Sequence, residues 1–146
     1  MAGISHDGDA PGRAAAWLGK QVELALAELD LTPPQYRVLG VLGEGASMPS
    51  ALAERLAVRR PTITAVVEGL AARGLVERAP HDEDRRSVTH ALTDKGEHLL
   101  READDAVDAR LRTIAGYGPQ PADAMLQALE LWRVAIRGYL DSAAQR

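Results

Sequence analysis

The sequence predicts a mostly helical domain with one small β-hairpin, and three observations predict it. Apolar residues recur at helical spacing through most of the 146 positions. The composition is rich in Ala, Leu, Arg and Glu, which favour helix. One short stretch, Ser87 to Leu92, instead alternates, with Val88, His90 and Leu92 set against Thr89 and Ala91.

The elements follow in order. Leu18, Val22, Ala25 and Leu29 form one stripe, widened by Trp17 and Leu26, and predict a first helix over Gly12 to Leu29. A second opens at Thr32-Pro33-Pro34-Gln35, where Thr32 can cap, Pro33 suits the first turn and Gln35 completes a capping box. It carries Tyr36, Val38, Leu39 and Leu42 and stops between Gly43 and Gly45. A short third helix covers Ala51 to Leu56, and a fourth runs from Pro61 to about Arg73, ended by Gly74. Leu75–Ala79 and Ser87–Leu92 read as two strands, with the charged segment Pro80 to Arg86 as the hairpin tip. Thr93 caps a long helix to about Ile114, with Leu99, Ala103, Val107 and Leu111 in phase. After the Gly116-Tyr117-Gly118-Pro119 break a last helix presents Met125, Leu129, Trp132, Ile136 and Leu140.

Composition narrows the function. There is no cysteine, which excludes disulfides, Cys-ligated zinc, thiol nucleophiles and thiol redox sensing. No Phe is present, so the core must be aliphatic. Residues 1–11 lack an apolar export core and are expected to be a disordered lead-in. No apolar run is long enough to span a membrane, and a cytoplasmic location is expected. The net charge is −4, yet residues 55–86 hold seven cations, all arginine, against five carboxylates. A local cationic segment inside an acidic chain suits a phosphate-binding face.

Residues 49–73 carry the functional pattern, a helix-turn-helix. Ala53 supplies the small residue where two helices cross closely, and Ala57 stands at the tight turn where Gly is commoner. Ile63 and Val66 are expected inside. Arg59, Arg60, Thr62, Thr64, Ala65 and Glu68 are expected on the opposite face, where Arg and short hydroxyl side chains suit phosphates and base edges in a major groove. Arg85 and Arg86 on the hairpin can reach an adjacent minor groove, which favours Arg. The fold class is therefore a winged helix-turn-helix lobe over 31–96, flanked by dimerisation helices at 12–30 and 97–146. The flanking helices hold more apolar stripe than one lobe can cover, and a homodimer would set two reading helices about 34 Å apart over a pseudo-palindrome.

With these residues the stretch Leu31 to Leu99 resembles the DNA-binding lobe of MarR-type regulators. The resemblance rests on LTPPQYRVL at 31–39, LAERLAVRRPTITAVVEGLAARGLVER at 52–78 and DRRSVTHALTDKGE at 84–97. The last is the most specific, an Asp-Arg-Arg tip followed by a strand and Leu-Thr-x-x-Gly. The resemblance implies a homodimeric transcription regulator on double-stranded DNA, a repressor relieved by a small aromatic or anionic effector. It places Pro61, Thr62 and Thr64 in the major groove, Arg59 and Arg60 near phosphates or base edges, and Arg86 in the minor groove. Asp84 and Arg85 would shape the tip. The family often has Arg where Ala65 stands, which bears on the operator sequence. Effector candidates between dimer helices and lobe are Trp17, Gln21, Tyr36 and Leu39, with Arg37 beside them.

Two other classes compete. A winged helix used only for protein contacts would need neither the arginine face nor the arginine tip. A metal enzyme would draw on His81, Asp82, Asp84 and His90, but no His pair at ligand spacing and no cofactor fingerprint occurs. The chain is thus read as a non-enzyme without a cofactor or metal.

Overall fold

Helix starts and stops set the architecture. The computed structural model describes residues 10–80 and 88–145. Among them lie α1 (Pro11–Ala27), α2 (Pro33–Gly43), α3 (Pro49–Arg55), α4 (Arg60–Ala72), β1 (Val76–Pro80), β2 (Val88–Leu92), α5 (Asp94–Ala115) and α6 (Ala122–Ala144). This is the predicted order of helices around one hairpin.

Thr32 closes the predicted capping box: its hydroxyl accepts from the Gln35 amide and the Gln35 side chain accepts from the Thr32 amide. Three helix ends then share one device. Leu31 N–H bonds the Leu26 carbonyl, Val58 that of Ala53 and Leu75 that of Leu70. Each closure needs one residue in the left-handed region, and these are Asp30 (φ 52°), Ala57 (φ 53°) and Gly74 (φ 72°). Only the last is glycine, the residue that adopts this conformation without steric cost.

The first helix ends at Ala27, two residues short of the expected Leu29. The reason lies far along the chain. The Arg73 guanidinium donates to the carbonyl of Asp30 at 2.6 Å and to that of Leu29 at 3.4 Å, holding the turned-out backbone.

Side chains from five helices and β1 meet in one aliphatic core. Leu26, Val38, Leu39, Leu52, Ile63, Leu70 and Leu75 are its largest fully buried members, and Ala103 and Val107 bring α5 against them. Inside α4 the buried set is Ile63, Val67 and Leu70; Val66, expected inside, is half-buried at the margin. The hairpin is antiparallel, pairing Val76 with Leu92 and Pro80 with Val88. β1 runs one residue later than expected. In β2 the buried side chain is Thr89, whose hydroxyl donates to the Ala79 carbonyl at 2.8 Å. Val88 is exposed. Alternation located the strand, but a two-stranded ribbon buries only what its neighbours cover.

The hairpin joins α5 through a tight junction. Thr93 N–H donates to the Leu75 carbonyl at 3.1 Å, and its hydroxyl donates to the Gly74 carbonyl at 2.6 Å while accepting from Gly96 N–H. Lys95 adds a bond to the Arg73 carbonyl at 2.9 Å. At Gly96 the backbones touch, because a Cβ there would stand 2.0 Å from the Leu75 carbonyl oxygen. The Leu-Thr-x-x-Gly run is therefore the weld between hairpin and long helix.

The last helix is different, since α6 has no buried residue. Trp132 is 67% exposed, and Leu131, Val134, Ile136 and Tyr139 are also open.

Two stability measurements follow. Gly96→Ala should cost about 2–3 kcal/mol in chemical denaturation, the usual cost of overpacking against backbone that cannot yield; a loss under about 0.5 kcal/mol would show that the junction is looser than described. Ala57→Gly should stabilise by about 1 kcal/mol, by relieving an L-residue held in the left-handed region. Destabilisation by the same change would mean that the turn is not strained.

Candidate nucleic-acid interface

The reading unit is built by α3, the turn at Ala57 and α4. Ala53, 8% exposed, lets the two helices approach, and the closure at Ala57 turns the chain sharply into Arg59. With Ile63, Val67 and Leu70 committed to the core, the other side of α4 is fixed outward. Arg59, Arg60, Pro61, Thr62, Thr64, Ala65 and Glu68 are all exposed on it. The structure thus brings together every site residue expected from this helix.

Its N-terminal end is open to an anion. Arg59 occupies the cap position with no side-chain cap, and no carboxylate sits in the first turn. The positive end of the helix dipole and two guanidiniums therefore face outward together. Among the described residues Arg59 and Arg60 make no ion pair. The Thr64 hydroxyl donates to the Arg60 carbonyl at 3.1 Å, which holds that side chain along the helix.

Not all arginines of the cationic segment belong to this face. Arg55 is ion-paired with Glu44, and Arg73 caps the end of α1. Residue counting cannot separate these roles, because the partners are distant in sequence. Arg78 is exposed on β1 opposite His90. The tip residues Asp84, Arg85 and Arg86 lie outside the described residues, as do His81 and Asp82 of the weighed metal cluster. Among the described residues no group of three His, Asp or Glu side chains could hold a metal.

The hairpin has a second anchor besides α5. Ser47, in the α2–α3 connection, bridges to His90 through paired backbone bonds of 2.9 and 2.8 Å. The hairpin is thereby anchored to the front of the reading unit as well as to α5. The buried His90 Nδ1 has no partner among the described residues. Burial first, and the charge of Arg78 second, lower its pKa from the ordinary imidazole value.

The four effector candidates differ in their surroundings. Leu39 is fully buried in the core, whereas Trp17 is 69% exposed on α1. The Gln21 side-chain oxygen accepts two bonds from Arg110, at 2.8 and 3.0 Å. Tyr36 O–H donates to Asp104 at 2.5 Å; burial and then that carboxylate raise the pKa of the phenol well above its ordinary value. Both polar pairs tie α1 or α2 to α5, a structural duty that the spacing of apolar residues does not reveal.

Comparison with known proteins agrees with this geometry. Residues 29–87 match the model of the MarR family. The organic hydroperoxide resistance transcriptional regulator of Bacillus subtilis is 31% identical over 109 residues, 74% of this chain and 71% of that protein. An uncharacterized HTH-type transcriptional regulator of Mycobacterium bovis is 45% identical over 60 residues, 41% of this chain. That match spans only 42% of the mycobacterial protein's length. Among solved structures, the transcriptional repressor CouR bound to a 23-mer DNA duplex is 32% identical with a TM-score of 0.70. The alignment covers 86% of this chain and 91% of that one.

Proposed function

The chain belongs to the MarR family, and on that premise we propose that it is a sequence-specific, DNA-binding transcription regulator that works as a homodimer. The observation that carries the reading is the outward face of α4, where Arg59, Arg60, Thr62 and Thr64 surround an uncapped helix N-terminus. In this reading Pro61, Thr62 and Thr64 enter the major groove, and the two arginines reach phosphates or base edges. Arg86 enters the neighbouring minor groove, with Asp84 and Arg85 shaping the tip. Residues 31–96 form the DNA-binding lobe; 12–30 and 97–146 supply the dimer helices. The exposed apolar side chains of α6 support the second copy, since Trp132 and its neighbours stay open among the described residues.

As a dimer the protein would occupy a pseudo-palindromic operator and act as a repressor. A small-molecule effector would lower its affinity by favouring a spacing of the two lobes that no longer fits successive grooves. We assign the chain no catalytic reaction and a cytoplasmic site of action. Among the described residues no helix is long and apolar enough to cross a membrane.

Fluorescence anisotropy on duplexes recovered by binding selection tests the reading. Binding should survive unrelated competitor DNA and weaken steeply with salt, log K falling by about 0.9 per log salt for each phosphate neutralised. Arg60→Ala and Arg86→Ala should each weaken it by about 1–3 kcal/mol. Weak binding, equal on every duplex and indifferent to both changes, would instead favour a winged helix that contacts protein. For the dimer, Leu131→Asp combined with Trp132→Asp should reduce the light-scattering mass to one 15.6 kDa chain. An unchanged dimer mass would remove α6 from the interface.

A further inference from the structure

The face of α4 that looks away from the core has a carboxylate on its midline. At helical period Ile63, Val67 and Leu70 form the buried stripe. The stripe directly opposite is Pro61, Ala65, Glu68 and Ala72, all exposed. Arg60 and Thr64 flank it on one side and Thr62 on the other. Pro61, Ala65 and Ala72 are short and carry no side-chain donor or acceptor. Glu68 therefore projects furthest from this stripe and is its one member able to hydrogen-bond a base edge. Its short neighbours let the helix come close enough for that side chain to reach.

Nothing near it on the helix neutralises the charge. Thr64, Ala65, Ala71 and Ala72, three and four positions away, supply no cation. Among the described residues Glu68 makes no ion pair. The Thr64 hydroxyl is engaged by the Arg60 carbonyl at 3.1 Å. A carboxylate here opposes the arginines of its own face. Phosphates repel it, and so do the carbonyl and N7 acceptors along a major groove. It lowers affinity for DNA at large and is compensated only where an amino group meets it. Adenine and cytosine offer one. The adenine N6 amine stands beside the N7 acceptor, whereas cytosine N4 has no acceptor next to it on its own base. Cytosine is thus the better partner for a carboxylate.

We propose that Glu68 is a specificity-determining residue, accepting a hydrogen bond from a cytosine N4 amine in each half-site. Thymine at that position is rejected, because its O4 acceptor would face the carboxylate. This role rests on the DNA-binding reading and adds a base preference to it.

Binding selection followed by anisotropy tests it, with the full-length wild type, Glu68→Gln and Glu68→Ala assayed on the same duplexes. Wild-type half-sites should share one cytosine, and exchanging that C·G pair for T·A should weaken binding about tenfold or more. In both variants this penalty should fall to about twofold or less, since glutamine can also donate to thymine O4 and alanine repels neither base. Penalties at the other positions should stay as they are, which a general disturbance of α4 would not allow. Both variants should also bind unrelated duplex several-fold more tightly, because a negative charge has left the face. A cytosine preference that survives both substitutions would overturn the role of Glu68, and so would selected half-sites without that cytosine. If Arg60→Ala still weakens binding in the same assay, those outcomes leave the DNA-binding reading standing. Equal wild-type binding on every duplex would remove both.

Discussion

The contact between Gly96 and the Leu75 carbonyl governs how the parts of this protein sit together. Here the reading helix has just ended, the hairpin begins and returns, and the long helix departs, all within one Cβ's width. Thr93 serves three partners at this point, bonding Leu75 and Gly74 while capping α5 at Gly96. Arg73 extends the weld, its side chain holding the end of α1 and its carbonyl receiving Lys95. Reading helix, hairpin and α5 are therefore joined at one point. In a dimer whose contacts involved α5, a change in the angle between the copies would move the reading helices with it.

The arginines show how one residue type is divided between architecture and recognition. Arg55 and Arg73 spend their hydrogen-bonding capacity on Glu44 and on the end of α1. Arg59 and Arg60 stand at an uncapped helix end whose first turn holds no carboxylate. The acidic balance of the whole chain, −4, thus coexists with a local positive surface. Long-range repulsion from the acidic remainder would favour placement of DNA on this face alone.

Much of the architecture was legible in the sequence because its signals are local. Thr32 with Gln35, Thr93 with Gly96, and the apolar spacing of α4 and α5 each act within a few residues. What escaped was non-local. The end of α1 depends on Arg73, 43 residues beyond Asp30, and the Ser47–His90 bridge joins segments with no common pattern. The exposed face of α4 was readable, because assigning the inside of a helix assigns its outside. For the effector candidates, apolar spacing says less. Leu39 and Tyr36 share the helical period of core residues, and periodicity does not distinguish a side chain that fills a core from one that lines a cavity. A cleft beside α6 is lined by Val41, Leu56, Ile136 and Leu140, which three elements bring together only after folding.

The central claim is that a dimer presents two copies of the α4 face to one side of a duplex. Hydroxyl-radical footprinting on a selected fragment examines it most directly. The account predicts two protected patches on the same face of the DNA, centred about 10 base pairs or a multiple of that apart, both lost when Arg59 and Arg60 are replaced by alanine. A single patch, or protection that survives those replacements, would contradict it.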